Sequence, residues 1–431
     1  MKQILFISYF FPPLGGPGVQ RAQKFAKYLP EFGWEPIVIS VKNIEYVAYD
    51  FSLLAEIPNI QLHRVNSLDL MRMLCFVERA RKYRRKNKRI YTQASQIIRK
   101  FYREIFPIDS KIGWIPFALK KGSQLIKNKD IKAIFVTISP YSSAIVGYKL
   151  AKKFNLPLII DYRDLWIGKP DITYFSSWHR KFSIYWERKM LKFARIITVN
   201  TEFTKDKVLS LYSEIEKSKF KVIYNGWDRE DFDQKCSKEN DKIIFTYTGG
   251  FYGERTPYYF LKVLEKMLNK NLLPTNIEFR FVGNYFKDII QMLENKRLES
   301  ILSVISQVTH KESVKYLIQS DFLMLFIAKK DSEIILPAKI FEYLAARKPI
   351  LAMIPRNGEA AKIIRENDAG FISEIDEENL IMENILKLLN LYKSGLLNTH
   401  FRLDSKDYLK YERRNLTYEL SKNLDNIYET N

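Results

Sequence analysis

Lys339 and Glu342 are the residues whose types and spacing point most directly to chemistry, and they lie within residues 336–354, LPAKIFEYLAARKPILAMI. Four apolar residues at helical spacing predict a core-facing stripe there: Ile340, Phe341, Leu344 and Ala345. Pro337 suits the first position of that helix, so both charged side chains should lie on its other face, near its start. An ammonium and a carboxylate in that place can hold a phosphate and a pair of sugar hydroxyls. The alternative is a surface ion pair between residues three positions apart.

Two glycine-rich turns supply backbone N–H groups that could approach an anion. The first, FPPLGGPG, contains Gly15 and Gly16 and lies between the first predicted strand and the first predicted helix. The second, TGGFYGER, contains Gly250 and ends at Arg255, whose guanidinium can neutralise a phosphate that the glycines admit. The first turn does not match the GxGxxG pattern, and a plain tight turn is the alternative explanation.

Charged residues follow two of the predicted strands. Asp161, Arg163 and Asp164 come directly after the buried strand LPLII. Charged groups at the carboxyl end of a strand are usually functional in an α/β sheet, so these three residues are the catalytic candidates. A structural ion pair between Arg163 and Asp164 is the alternative. His310 follows another predicted strand, where backbone groups could form hydrogen bonds with a nucleotide base. The alternative is that these residues only start a helix.

Histidine and cysteine usage argues against a metal centre. The four histidines are scattered without the spacing of a zinc site, so we expect neither a protein-bound metal nor a cofactor. Two cysteines without a CxxC motif indicate a reducing compartment. The N-terminus lacks a signal-peptide pattern and no stretch approaches 18 apolar residues, which favours a cytoplasmic protein. The sequence has no GxSxG and no GxxxxGK[ST] pattern, which excludes an α/β-hydrolase and a P-loop nucleotide-binding protein.

The elements that must position these residues alternate between strand and helix along the chain. Strands separated by helices imply parallel βαβ units, and therefore an α/β fold with two doubly wound sheets. The polar stretch 225–240 is the best linker. We predict an N-terminal domain over residues 1–226 with a helical insertion at about 71–127, a C-terminal domain over 227–404, and a final amphipathic helix over 405–431.

The net charge of +21 is concentrated in one segment. Between positions 71 and 130 there are 17 Lys or Arg residues and 4 Asp or Glu residues, with aromatic residues among them. The residues predicted to dock on an anionic surface are Arg84, Arg85, Lys86, Lys88 and Arg89. Electrostatics alone suits a membrane or a nucleic acid equally, and a merely solvated basic helix is the third possibility.

Taken together with its motifs, the chain resembles the family 4 glycosyltransferases, of the type found in bacterial cell-surface polysaccharide assembly. The resemblance spans almost the full length and is carried by ISYFFPPLGGPGVQRAQKFAKYLPEFGW, IDYRDLW, VIYNGWDREDF, TYTGGFYGERTP and LPAKIFEYLAARKPILA. It implies two Rossmann-like domains facing across a cleft, the GT-B fold. The first domain would lie on the acceptor side, the second would bind the nucleotide sugar, and the last helix would cross back to the first.

The resemblance also implies roles for individual residues. Glu342 would bind the ribose hydroxyls of the donor, and Arg255 would bind its diphosphate with the help of Lys339. Gly15 and Gly16 would line the cleft near the diphosphate. Retention of configuration, with the leaving phosphate as the internal base, would need no protein nucleophile.

The expected function is therefore transfer of a hexose or hexose derivative, most simply from a UDP-sugar, to a lipid-linked or growing glycan acceptor, with retention. The expected partners are the nucleotide sugar, the acceptor and the anionic inner face of the cell membrane, where a cytoplasmic enzyme would associate peripherally. Two alternatives stay open. One is a nucleotide-sugar 2-epimerase of the same fold. The other is a non-catalytic partner or nucleic-acid-binding protein that uses the basic segment, although no RNP, KH or zinc module occurs and nucleic acid is not expected.

Overall fold

Two separate parallel sheets organise the chain in the computed structural model, which describes residues 1–42, 44, 46, 49–68, 106, 108–168, 174–234, 236, 238, 241–251, 254–329 and 335–429. The chain divides into two units. The first comprises Met1–Tyr224 with Arg413–Asn431, and the second comprises Asn225–Glu412. Each unit has its own sheet and its own hydrophobic core.

The first unit contains a seven-stranded parallel sheet with the strand order β3-β2-β1-β4-β5-β6-β7. Its strands are β1 Lys2–Ile7, β2 Trp34–Val41, β3 Gln61–Val65, β4 Ile131–Ile138, β5 Leu158–Tyr162, β6 Ile196–Val199 and β7 Phe220–Val222. The central strands are nearly continuous apolar runs because a parallel sheet buries both of its faces. The register places Asp161 of β5 opposite Thr198 of β6, which matters for the site described below.

Helices connect these strands as the alternating pattern predicts. They are α1 Pro17–Tyr28, α2 Ser52–Ala55, α3 Ile115–Asn128, α4 Ser142–Phe154, α5 Ser177–Phe193 and α6 Glu202–Leu211. Short 3-10 helices lie at Leu29–Phe32, Ile112–Trp114 and Lys217–Lys219. Hydroxyl side chains cap two of the helices: Ser176 accepts from the His179 backbone N–H before α5, and Thr201 accepts from the Thr204 backbone N–H before α6.

The second unit contains a six-stranded parallel sheet with the order β10-β9-β8-β11-β12-β13. Its strands are β8 Ile243–Thr248, β9 Ile277–Val282, β10 Leu302–Ile305, β11 Phe322–Phe326, β12 Ile350–Met353 and β13 Gly370–Ser373. Aromatic packing ties the central strands together. The ring centroid of Phe245 lies 4.4 Å from that of Phe322 and 5.0 Å from that of Phe279.

The helices of the second unit are α7 Arg229–Phe232, α8 Tyr258–Asn269, α9 Lys287–Leu293, α10 His310–Ile318, α11 Lys339–Ala346, α12 Glu359–Glu366, α13 Glu378–Lys393 and α14 Leu397–His400, followed by a 3-10 helix at Asp407–Tyr411. Helix α11 begins at Lys339 with Ala338 at its N-cap. The sequence predicted Pro337 as the first residue of this helix, but Pro337 precedes it. The Pro337 carbonyl accepts from the Ile340 N–H at 3.2 Å, which forms a turn leading into the helix.

The last helix, α15 Arg413–Glu429, begins later than the predicted start near residue 405. The preceding 3-10 helix belongs to the second unit, where the ring of Tyr411 lies 4.8 Å from that of Phe341 and Glu412 pairs with Arg229 at 2.8 Å. The apolar stripe of α15 is buried in the core of the first unit: Leu416, Leu420, Leu424 and Ile427. The chain therefore returns to the first unit, and the two sheets with flanking helices confirm the predicted pair of Rossmann-like domains.

Within the described ranges, no helix combines the length and the apolar character needed to cross a membrane. In the same part of the chain, no cluster of three or more His, Cys, Asp or Glu residues forms a candidate metal site. The residues predicted to dock on an anionic surface lie outside the described residues: Arg84, Arg85, Lys86, Lys88 and Arg89.

Candidate functional site

Lys339, the first residue of α11, reaches back to the carboxyl end of β8. Its Nζ donates a hydrogen bond to the carbonyl oxygen of Thr248 and lies 4.1 Å from the centroid of the Tyr247 ring. Gly249 has φ +113°, and a Cβ atom there would lie 2.6 Å from the Lys339 Nζ. The positive φ of this turn favours glycine, and the missing side chain leaves room for the ammonium group beside it. The structure thus brings the start of α11 and the second glycine-rich turn together.

The pKa of Lys339 is lowered to about 7, first by burial and then by the guanidinium of Arg255, while the carboxylate of Glu342 acts in the opposite direction. Arginine side chains carry a positive charge in proteins. The end of β8 therefore holds a permanent positive charge next to a lysine near the midpoint of its titration. An anion bound there would relieve the repulsion between the two cations and raise the pKa of Lys339.

Arg255 has hydrogen-bonding capacity that the described part of the protein does not use. Its Nε atom is buried and has no hydrogen-bond partner among the described residues. Buried polar atoms are normally paired because an unsatisfied donor costs free energy, and a charged group costs more. A ligand acceptor at this place would satisfy Arg255, and the neighbouring Gly250 is held in position by the Tyr247 hydroxyl, which donates to its carbonyl at 2.9 Å.

The carboxyl ends of the strands of this sheet converge at the same turn. The Gly249 N–H donates to the Val282 carbonyl at 2.8 Å, and the Gly283 N–H donates to the Ile305 carbonyl at 2.9 Å. A Cβ atom on Gly283 would lie 2.4 Å from the carbonyl oxygen of Gly249, so the two backbones can approach this closely only with glycine. Ligands of doubly wound sheets bind at this edge.

Glu342 and His310 meet at the N-terminal ends of two helices. The Nε2 atom of His310, on α10, lies 2.9 Å from Oε1 of Glu342, on α11. The Nδ1 atom of His310 lies 3.7 Å from a carboxylate oxygen of Asp231. All three side chains are partly buried, so an imidazole is held between two carboxylates at the surface of the second unit.

His310 also starts its helix, as the alternative explanation held. Thr309 and Glu312 form a capping box, in which the Thr309 hydroxyl accepts from the Glu312 backbone N–H at 3.3 Å and Glu312 accepts from the Thr309 N–H at 3.0 Å. The cap fixes the backbone and leaves the imidazole to reach Glu342. Asp231 was missed by sequence reasoning, since it lies in the short helix α7 within the stretch interpreted as a linker, and no local pattern connects it with His310.

Asp161 of the first unit is fully buried and surrounded by donors. Arg21 Nη2 donates to it at 2.7 Å, and the hydroxyls of Thr137 and Thr198 donate at 2.9 and 2.8 Å. Burial raises the pKa of Asp161, but the guanidinium of Arg21 and these hydrogen bonds outweigh it and leave the pKa below its usual value. Arg21 also donates to the Tyr224 carbonyl at 2.8 Å. These contacts account for Asp161 as a structural anchor near the carboxyl end of β5.

Arg163 supports the backbone at the end of β4 in the first unit. Its Nε donates to the Ile138 carbonyl at 3.1 Å and its Nη2 donates to the Ser139 carbonyl at 2.8 Å. A Cβ atom on Gly18 would lie 1.4 Å from Nη1, so the guanidinium lies directly on the first glycine-rich turn. Asp164 lies 4.0 Å from Arg163 and is the most solvent-accessible of the three catalytic candidates.

The predicted site residues thus fall into two groups, one in each unit. In the second unit the structure brings Gly250, Arg255 and Lys339 together, and it joins Glu342 to His310. In the first unit it places Arg163 on the glycine-rich turn whose Gly15 is buried and whose Gly16 is exposed with φ +107°.

Comparison with known families gives two matches. The model described as glycosyltransferase family 4 matches residues 18–231, and the model described as glycosyl transferases group 1 matches residues 228–398. A search among curated proteins finds no match to the chain.

Comparison with solved structures gives relatives in fold over the full chain. HepE from Anabaena, solved in complex with UDP, is 12% identical with a TM-score of 0.59 and covers 99% of this chain and 100% of its own. Sucrose-phosphate synthase from Thermosynechococcus elongatus is 12% identical with a TM-score of 0.62 and covers 100% of both chains. A protein from Listeria monocytogenes described as a putative UDP-N-acetylglucosamine 2-epimerase is 11% identical with a TM-score of 0.59 and covers 100% of this chain and 98% of its own. At these identities, the likeness concerns the fold.

Proposed function

Because the chain belongs to the family 4 glycosyltransferases and is a nucleotide-sugar-dependent glycosyltransferase of GT-B fold, we propose that it transfers a hexose or hexose derivative from a UDP-sugar to a lipid-linked or growing glycan acceptor. The proposed reaction retains the configuration of the sugar and serves cell-surface polysaccharide synthesis at the cytoplasmic face of the membrane.

The observation that carries the proposal is the pair of cations beside the second glycine-rich turn. Arg255 has a buried Nε without a partner among the described residues, and Lys339 has a pKa lowered to about 7 next to it. A diphosphate is an anion whose negative charge suits two neighbouring cations, one of which has a donor to spare. These groups would also stabilise the negative charge that builds up on the diphosphate as it leaves the sugar.

Glu342 is proposed to bind the ribose of the donor. A carboxylate can accept hydrogen bonds from two vicinal hydroxyls, and Oε1 of Glu342 lies 2.9 Å from Nε2 of His310. His310 would hold the carboxylate in the orientation that the ribose needs. The base is proposed to be uracil because HepE was solved in complex with UDP.

In the first unit, Asp164 is the proposed substrate contact among the three charged residues after β5, because its carboxylate is accessible while Asp161 is buried and Arg163 is engaged with backbone carbonyls. Gly15 and Gly16 are proposed to admit the diphosphate near the reacting sugar. In a retaining transfer the C1–O bond to phosphate breaks as the acceptor oxygen bonds to C1 on the same face. The acceptor proton passes to the leaving phosphate oxygen, so no protein nucleophile is required.

A panel of nucleotide sugars tests the proposal. The purified protein, incubated with each UDP-, GDP- and TDP-sugar, should be thermally stabilised by one or a few UDP-sugars and should release UDP from them slowly in the absence of acceptor. Conversion of the donor to its C2 epimer without net release of UDP would identify a 2-epimerase. Failure of every nucleotide sugar to stabilise the protein would overturn the proposal.

A further inference from the structure

Helix α5 presents a stripe of large aromatic side chains to solvent. Trp178 is 59% exposed and Tyr185 is 54% exposed, and the half-buried Phe182 lies between them on the same side of the helix. Phe175, just before the helix, is 61% exposed, and Phe193 at its end is 39% exposed. Aromatic residues bury the largest areas in protein cores, so a row of them on a surface indicates a binding partner.

The exposed rings form one continuous surface. The rings of Trp178 and Phe182 are stacked with centroids 5.2 Å apart, Phe182 lies 6.4 Å from Trp186, and Trp186 lies 5.9 Å from Tyr185. We call this set, Trp178, Phe182, Tyr185 and Trp186, the aromatic stripe. Because each ring supports the next, the stripe forms an ordered apolar face, unlike four isolated side chains.

The opposite side of α5 already holds the helix in place without the stripe. Its buried residues are Ser183, Glu187, Met190 and Leu191. Glu187 accepts hydrogen bonds from the hydroxyls of Tyr162 and Tyr212, the latter at 2.5 Å, which ties the helix to β5 and to the segment after α6. Trp186 also packs edge-on against Tyr148 of α4, with ring centroids 6.1 Å apart, but these contacts do not explain the exposed rings of Trp178 and Tyr185.

Basic residues flank the stripe, and the helix has no exposed acid. The sequence of α5 contains five cationic residues, Arg180, Lys181, Arg188, Lys189 and Lys192, and a single acidic residue, the buried Glu187. Glu214, outside the helix, pairs with two of these cations, at 2.9 Å from Arg188 and 3.5 Å from Lys192. The Nζ of Lys189 lies 5.0 Å from the centroid of the Tyr185 ring and 5.3 Å from that of Trp186. Aromatic rings next to lysine and arginine are typical of helices that lie in the headgroup region of an anionic bilayer.

We propose that α5 docks the enzyme on an anionic lipid bilayer, with the aromatic stripe at the level of the headgroups and the flanking cations on lipid phosphates. The charge complementarity favours this partner over a second copy of the chain, whose α5 would bring the same positive charge. The lipid contact stands on the geometry of α5. Its purpose, to bring the active site to a lipid-linked acceptor, rests on the proposed function.

Quenching of tryptophan fluorescence tests the proposal directly, because Trp178 reports on this helix whether or not the basic segment at 84–89 also binds lipid. Vesicles that contain phosphatidylglycerol and brominated phosphatidylcholine should quench the wild-type protein, and the lipid-dependent quenching should fall markedly in Trp178→Phe. Quenching that is unchanged in Trp178→Phe, or absent from the wild type, would overturn the proposal.

Vesicle co-sedimentation gives a second readout. The triple variant Trp178→Ser, Phe182→Ser, Tyr185→Ser should bind the same vesicles at least about tenfold more weakly than the wild type, because it loses most of the apolar contact. The matched control is the triple variant Leu272→Ser, Leu396→Ser, Tyr418→Ser, which removes large side chains that are 39%, 47% and 47% exposed elsewhere on the surface and should bind as the wild type does. Equal weakening in the control would contradict a role for α5, as would binding by the first triple variant at the wild-type level.

UDP release from the soluble donor separates this proposal from the proposed function. The α5 triple variant should keep wild-type release of UDP and a melting temperature close to that of the wild type, since Trp178 and Tyr185 are more than half exposed. Loss of vesicle binding in a protein that uses no nucleotide sugar would leave the lipid surface standing and reject the proposed function. Salt-sensitive RNA binding that is lost in the α5 variant, without vesicle binding by the wild type, would reject the lipid surface.

Discussion

The Nε2 atom of His310 lies 2.9 Å from Oε1 of Glu342, and this contact joins the N-terminal ends of two helices that follow different strands of the same sheet. Residues so distant in sequence meet here because parallel strands deliver their carboxyl ends to one edge. The contact holds the Glu342 carboxylate, whose side chain is partly buried, in one orientation. It is the basis of the first prediction.

Glu342→Ala is expected to weaken binding of the UDP-sugar by about 1.5–3 kcal/mol, since it removes a charged acceptor for two hydroxyls. The fold should persist because Glu342 is not among the buried residues that pack α11 into the core. Titration calorimetry measures the change. The control is Glu383→Ala, which removes one partner of a surface ion pair with Lys387 at 2.6 Å and should leave donor affinity unchanged. Donor affinity that is equal in Glu342→Ala and the wild type would mean that Glu342 does not contact the donor.

The affinity for the UDP-sugar is expected to fall as pH rises above 7. Lys339 has a pKa of about 7 in the ligand-free protein, and only its protonated form attracts the diphosphate. The decrease should reach at most about tenfold per pH unit, because one proton is linked to binding. A UDP-sugar suits the measurement because its diphosphate diester does not titrate near pH 7.

Lys339→Arg should flatten this pH dependence, because arginine stays protonated. Lys348→Arg is the matched control, since Lys348 also has a pKa lowered by burial but lies at the other end of α11. Lys339 also affects stability. Between pH 7 and the usual lysine pKa of 10.5, the unfolded chain holds a proton that the folded chain lacks. The free energy of unfolding of the ligand-free protein should therefore rise with pH in this range. A pH dependence of donor affinity that survives in Lys339→Arg would show that another group titrates.

Asp161→Ala is expected to destabilise the protein by about 3–5 kcal/mol, because it leaves the guanidinium of Arg21 buried without its partner. Urea unfolding measures the loss. Asp164→Ala, which truncates an accessible side chain, should change the free energy of unfolding by no more than about 0.5 kcal/mol. Unchanged stability together with lost transfer activity in Asp161→Ala would instead support the catalytic role that the sequence suggested.

The alternation of strands and helices could be predicted because each element has its own hydrophobic pattern, and the prediction of two parallel sheets is confirmed. The placement of Lys339 near the glycine-rich turn also follows from topology, as both lie at carboxyl ends of strands. The contacts of Asp161 could not be predicted, since Arg21, Thr137 and Thr198 reach it from three other elements. Asp231 was missed for the same reason: its partner His310 is set by the packing of α7 against α10, and no sequence spacing records it.

Five basic residues outside the described part of the chain are predicted to dock on an anionic surface: Arg84, Arg85, Lys86, Lys88 and Arg89. We expect their replacement with glutamine to weaken binding to anionic vesicles. Each basic residue near such a surface contributes about 1 kcal/mol to binding, so the five changes together should weaken binding strongly. Added salt should have the same effect, because it screens these charges. Release of UDP from the soluble donor should persist. Equal binding of the wild type to neutral and anionic vesicles would contradict a docking role for these residues.

The central claim, that Arg255 binds the diphosphate of a nucleotide sugar, is tested most directly by titration calorimetry of the wild type and Arg255→Ala with UDP and with uridine. The account predicts that Arg255→Ala weakens UDP by about 1.5–3 kcal/mol while uridine binds both proteins equally, because the lost partner is phosphate and the buried Nε has no partner among the described residues. Arg297→Ala, which removes an arginine whose side chain is 79% exposed, should leave both affinities unchanged. Equal weakening of UDP and uridine by Arg255→Ala would mean that Arg255 supports the loop, and wild-type affinity for UDP in the variant would contradict the claim.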